Sequence, residues 1–197
     1  MLSIENVTKW MDLFIEQLQE NKVYLSELDT AIGDGDHGNN LARGAAALKE
    51  KLADNEYEAL TDLLKDIGMV FVSKIGGASG PLYGSAFISM AKASKDNDGL
   101  DLAELLEAGL DGIQKRGKAV AGEKTMVDEW IPIVDAVKEN SLTTEIIEEA
   151  AAKTEQMKAT KGRASYLGDR SVGHLDPGAM SSSYLFKTML EAGVYNG

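Results

Sequence analysis

An all-α fold, a bundle or barrel of about eight amphipathic helices, is the class this sequence predicts. Apolar residues recur at helical spacing along nearly the whole chain, and no pair of alternating runs reads as a strand hairpin. No internal repeat, low-complexity tract or long linker interrupts the pattern. The 197 residues suffice for one domain with a substantial core, expected to run over 1–197.

The helices are taken in order. Ile4, Val7, Met11, Phe14 and Leu18 form the first stripe behind Ser3, a plausible N-cap. Leu41, Ala45, Leu48 and Leu52 mark the second. Leu60, Leu63, Leu64, Ile67 and Phe71 mark the third, which stops before Gly76-Gly77. A fourth begins near Pro81 and carries Leu82, Phe87, Ile88 and Met90; a fifth carries Leu102, Leu105, Leu106, Leu110 and Ile113. The sixth spans about Val127 to Val137 and contains Pro132, which should bend the helix or sit in its first turn. Glu145 to Lys158 forms the seventh, with Ile146, Ile147, Ala150 and Met157 apolar. The last has the clearest start, with Asp176 as N-cap, Pro177 at the first helical position, then Met180, Tyr184, Leu185 and Leu190.

Composition narrows the function. The net charge of −12 argues against a nucleic-acid partner, whose phosphates need Lys and Arg, and against an anionic membrane surface. With no cysteine, disulfides, thiol catalysis and zinc-thiolate sites are excluded. The first residues lack the basic and apolar regions of a signal peptide, and no apolar run is long enough to cross a bilayer, so a cytoplasmic location is expected.

The chemistry lies between the stripes. The run from Asp29 to Asn40 places Asp29, Asp34 and Asp36 among glycines and leads straight into a helical pattern. Asp34 and Asp36, two apart in an extended segment, would point to one side, and Asp29 could join them. Clustered hard oxygens suit Mg²⁺, or Ca²⁺ with more ligands. A helix N-terminus just downstream favours an anion. Metal and anion at one corner suggest a nucleotide polyphosphate. An EF-hand alignment fails, because Asn39 falls where glycine is required and Ala45 where a bidentate Glu belongs. An ordinary Gly/Asp turn is the bland alternative.

Other loops carry related signals. Gly76-Gly77-Ala78-Ser79-Gly80 offers unhindered amides and one hydroxyl, suited to phosphate or to close helix packing. Gly112 to Lys118 nearly spells a P-loop but lacks the final Ser/Thr and follows a helix, so a Walker motif is rejected. Gly122-Glu123-Lys124-Thr125-Met126 could set an amide or an apolar side chain near a base. Arg163 and Arg170 stand out in an acidic chain; a guanidinium suits phosphate and transition-state charge, or a structural ion pair. His37 and His174 are the only histidines; a hydrogen-bonding, loop-ordering role is expected ahead of a phosphohistidine or general base. Alternate loops of an antiparallel bundle share an end, so several of these segments could meet at one rim.

These pieces resemble the nucleotide-binding (L) subunits of dihydroxyacetone kinases. The resemblance rests on Gly33-Asp34-Gly35-Asp36-His37-Gly38, Gly76-Gly77-Ala78-Ser79-Gly80, Lys124-Thr125-Met126, Gly162-Arg163-Ala164-Ser165-Tyr166-Leu167-Gly168 and Asp176-Pro177-Gly178-Ala179, in order over nearly the whole chain. It implies a closed barrel of eight antiparallel helices with the nucleotide at one end. It implies that Asp29, Asp34 and Asp36 hold two Mg²⁺ ions. His37, Gly38, Asn39, Asn40, Ala78, Ser79, Gly117, Met126, Arg163, Asp176, Pro177 and Gly178 would then line the nucleotide, with Arg163 supplying the catalytic charge.

No substrate-binding domain is expected in this polypeptide, which resembles the form coupled to the bacterial sugar phosphotransferase system. There ADP/ATP stays bound as a coenzyme. A phosphohistidine M subunit rephosphorylates it, and the phosphoryl group passes to dihydroxyacetone held on a K subunit. The oligomeric state stays open, a homodimer included. A nucleotide-sensing regulatory subunit without turnover and an ATP-exchanging L subunit are the alternatives.

Overall fold

The computed structural model describes residues 2–95, 97 and 100–195. The expected domain of 1–197 therefore includes six positions outside the described residues. Among those described, nine α-helices and two 3-10 segments occur and no strand: α1 (Ile4–Glu20), α2 (Lys22–Ile32), α3 (His37–Ala53), α4 (Leu60–Lys74), α5 (Ser79–Ser94), α6 (Leu102–Gly117), α7 (Val127–Lys138), α8 (Thr144–Lys153) and α9 (Pro177–Glu191), with 3-10 turns at Thr154–Gln156 and Arg163–Ser171. Among the described residues no helix is long and apolar enough to cross a membrane.

Local chemistry fixes the ends. Ser3 and Asn6 form a reciprocal capping box on α1, and Asp101 and Glu104 do the same on α6. Asp176 caps α9 by accepting the Ala179 N–H at 2.8 Å, with Pro177 at the position where a missing N–H costs nothing. Neighbour relations then run α1–α3–α4–α5–α6–α7, on to α8 and α9, and from α9 back to α1; α2 lies against α3 and α9. Trp10, Phe14, Phe71, Tyr83, Phe87, Trp130 and Phe186 are fully buried inside this succession. Each such side chain removed from water contributes about 1.5–3 kcal/mol. The Trp10 indole N–H donates to the Leu185 carbonyl at 2.7 Å, so that buried donor is satisfied and α1 is tied to α9.

Several expectations are corrected. Helix α2 has no counterpart in the predicted stripes. Its buried apolar residues are Leu25 and Ile32, while Val23 and Tyr24 face outward, so no continuous apolar face marks it. The seventh stripe ends at Lys153 and tightens into a 3-10 turn, leaving Met157 and Lys158 outside the helix. Pro132 lies in the interior of α7, not in its first turn, and the helix continues to Lys138. The run after Gly162, expected as loop, is a 3-10 segment broken at Gly168.

Candidate functional site

Asp29 lies in the last turn of α2, and its carboxylate accepts the backbone N–H groups of Asp36 at 2.9 Å and His37 at 3.1 Å. The loop between them is not extended. Gly35 takes φ +76°, open to glycine at little cost, and Asp36 is already near helical angles. This turn brings one carboxylate oxygen each from Asp29, Asp34 and Asp36 within 4.8 Å of one another. Three hard oxygen donors around one point, partly open to solvent, fit a divalent cation of the Mg²⁺ type. The Arg163 guanidinium meets Asp34 from the opposite wall at 2.8 Å, an exposed pair of small energetic weight.

The carboxylates form one side of a cleft of about 440 Å³. His37 and Asn40 of α3, Gly76 to Ser79 before and at the start of α5, Lys124 to Met126 before α7, Lys161 to Ala164, and Asp176 to Gly178 at α9 complete its wall. Four helices, α3, α5, α7 and α9, thus begin at the cleft. Their positive dipole ends converge on it, which gives an acidic protein a local attraction for an anion. A second hollow of about 390 Å³ continues from it past Ala78, Leu82, Thr125 and Met126 to Pro81, Ile113, Arg116, Gly117 and Ala119. The first compartment carries the carboxylates and most of the charged side chains and the second is largely apolar, a pairing that suits a phosphorylated ligand with a flat organic group.

Buried polar groups hold the walls. The His37 ring sits between the Ser79 hydroxyl, 2.9 Å from Nδ1, and the Ser181 hydroxyl, 3.1 Å from Nε2. Burial pushes its pKa down to about 4, against the Pro177 backbone and the Asp36 charge, so the imidazole is neutral at pH 7. Lys124 is buried with φ +61° and donates from Nζ to the carbonyls of Thr154, at 2.5 Å, and His174. One ammonium therefore pins the strands of chain before α7 and α9 to the end of α8. Burial raises the Asp176 carboxyl to about 7, opposed by the Ala179 N–H and by Lys124. Asp128 accepts the N–H groups of Gly122, at 2.5 Å, and Thr125, at 2.8 Å, which shapes the loop in front of α7.

The structure brings together Asp29, Asp34, Asp36, His37, Asn40, Ala78, Ser79, Met126, Arg163, Asp176, Pro177 and Gly178 on the first compartment, and Gly117 on the second. Gly38 and Asn39 are not in either wall. Gly38 is buried where a Cβ would lie 1.8 Å from the Lys22 carbonyl oxygen, so it serves the contact of α3 with α2. Asn39 is exposed, and Arg170 is exposed away from the cleft. Leu82, Ile113, Arg116 and Lys161 line the hollows without having been singled out; on sequence they are members of helical stripes or isolated charges.

Fold and site define an all-helical protein with a carboxylate-walled anion cleft built at the N-termini of alternate helices. The model of the DAK2 domain matches residues 31–191. The chain belongs to that family. It is 56% identical over 188 residues to the PEP-dependent dihydroxyacetone kinase 1 ADP-binding subunit DhaL of Listeria innocua, covering 94% of this chain and 95% of that one. It is 50% identical over 191 residues to the PTS-dependent dihydroxyacetone kinase ADP-binding subunit DhaL of Lactococcus lactis, covering 97% and 98%. Among solved structures it superposes on the dihydroxyacetone kinase from C. freundii in complex with AMP-PNP and Mg²⁺, with a TM-score of 0.74 and 26% identity over 92% of this chain and 33% of that one.

Proposed function

We propose that this chain is the ADP-binding subunit of a dihydroxyacetone kinase of the phosphotransferase-dependent type. In this reading it keeps Mg-ADP bound as a coenzyme, takes a phosphoryl group from a phosphohistidine protein, and passes it to dihydroxyacetone on a separate substrate-binding subunit. The observation that carries the reading is the cleft itself, a carboxylate triad facing four helix N-termini with an apolar compartment alongside. The near end-to-end match to two ADP-binding subunits supports it.

Asp29, Asp34 and Asp36 fit Mg²⁺, two ions in the full form of the proposal, and would hold it against the phosphates. Bound there, the metal supplies charge neutralisation of phosphate oxygens. The chain's own groups do the rest. The positive dipole ends of α3, α5 and α9 would add a fixed attraction for the phosphates. Ser79 adds a hydroxyl. Met126, Leu82, Ile113 and Gly117 offer the base an apolar surface. Arg163, tethered to Asp34 and largely exposed at the mouth, would swing a guanidinium toward the transferring group. Charge stabilisation and positioning suffice here, since phosphoryl transfer asks little covalent chemistry of a protein.

Freshly purified protein should release near-stoichiometric ADP or ATP when denatured and chromatographed. Protein that folds and binds Mg-ADP in titration but carries none through purification would instead be an exchanging or regulatory form. Folded protein that binds no Mg-nucleotide at all would remove the proposal.

A further inference from the structure

From the floor of the cleft a file of hydroxyls runs into the core. Ser79 meets His37, His37 meets Ser181, the Tyr83 hydroxyl lies 2.7 Å from Ser181 and 3.0 Å from Ser182, and the Trp130 indole N–H ends the file 3.1 Å from Ser182. Tyr83, Trp130, Ser181 and Ser182 are all buried, with exposures of 0 or 1%. Bonds among buried groups must be satisfied in one consistent direction.

The direction can be read from the inner end. An indole N–H only donates. Ser182 therefore accepts from Trp130, and its one remaining partner for a proton is the Tyr83 oxygen. Tyr83 must then donate to Ser181. Ser181 has two outlets for its own proton, the Gly178 carbonyl and His37 Nε2, each at 3.1 Å. If the carbonyl takes it, His37 carries its proton on Nε2, Nδ1 accepts from Ser79, and the Ser79 proton is spent inward. If Nε2 takes it, His37 carries its proton on Nδ1 and donates to the Ser79 oxygen. The Ser79 proton is then free to point into the cleft. Phosphate oxygens only accept, so Ser79 can donate to an anion in the cleft in the second arrangement and not in the first.

We propose that Ser181 and Tyr83 are positioning residues that act through the His37 ring to present the Ser79 hydroxyl to the cleft as a donor to phosphate. Neither touches the cleft wall. The proposal rests on the nucleotide reading of that cleft. It also gives His37 a role other than nucleophile or general base, namely a two-tautomer coupler between core and ligand.

Two measurements test it, both on the whole chain with Mg-ADP as probe. The first is a double-mutant cycle on Mg-ADP affinity by calorimetry, with Ser79→Ala, Ser181→Ala and the pair. Each single change should weaken binding about ten- to hundredfold, the value of one hydrogen bond to a charged group. The pair should bind no worse than Ser79→Ala alone, because Ser181 acts only through that hydroxyl. Effects that multiply, or a Ser181→Ala protein that binds like wild type, would overturn the proposal. The second is ¹⁵N NMR of the two histidine rings in the Mg-ADP complex, which distinguishes the nitrogen bearing a proton from the one bearing a lone pair. A neutral His37 protonated on Nδ1 is expected; protonation on Nε2 sinks the idea even if the nucleotide binds. Wild-type protein that does not bind Mg-ADP removes the nucleotide reading itself, a result separate from either of these.

Discussion

Two buried ionisable side chains on either side of the start of α7, Lys124 and Glu129, solve the same problem in opposite ways. Lys124 keeps a charge in the interior by donating to two carbonyls and facing Asp176, Glu155 and Asp128. Glu129 in the first turn of α7 is fully buried, and neither carboxyl oxygen has a hydrogen-bond partner. Burial pushes its pKa up from 4.5 to about 9, against a small opposing pull from Lys187. The folded chain therefore holds this proton where the unfolded chain has lost it. The stabilising contribution is complete below pH 4.5 and is lost as pH rises toward about 9, with a slope of about 1.4 kcal/mol per pH unit between. Glu129→Gln keeps the shape and removes the titration. Urea unfolding at several pH values from 5 to 8.5 should show wild type losing stability relative to the variant at about that slope; parallel curves would mean that Glu129 is charged and compensated in the fold.

At the scale of elements, small residues set how closely the helices approach. Gly112 of α6 is the plainest case. A Cβ there would lie 2.4 Å from the Ser85 carbonyl oxygen of α5, which is backbone and cannot rotate away. Gly112→Ala should thus destabilise the protein by about 1–3 kcal/mol, despite alanine being favoured by about 1 kcal/mol in an isolated helix. A melting temperature at or above that of wild type would contradict this packing. The same glycine opened the near-miss P-loop in the sequence, and its reason is now steric. Eight helices were legible because each carries a wide apolar face; α2 was not, because it turns only Leu25 and Ile32 inward. The acidic loop and the three other glycine-bearing segments announced themselves by composition. The file of hydroxyls behind His37 depends on residues up to 144 positions apart and leaves no local signal.

The whole molecule combines a net charge of −12 with a cleft that must accept an anion. Global charge repels a nucleotide diphosphate, and the helix N-termini attract it only within a turn or so. The carboxylate triad resolves the conflict if a divalent cation enters with the nucleotide. Salt and Mg²⁺ should consequently act in different ways. Sodium chloride screens the self-repulsion of the acidic surface and should raise the melting temperature modestly in wild type and in Asp34→Asn alike. Mg-ADP at about a hundred times its dissociation constant stabilises the folded state by about 2.7 kcal/mol, which for a chain of this size is about 5–10 °C. That increment should need both magnesium and ADP at matched ionic strength. Asp34→Asn should lose most of it, since the substitution removes one of three hard oxygens and leaves the helices untouched. An equal Mg-ADP shift in Asp34→Asn, or an equal shift from sodium chloride and magnesium chloride with ADP in wild type, would show that the triad is surface charge and that the anion is held by the helix ends alone.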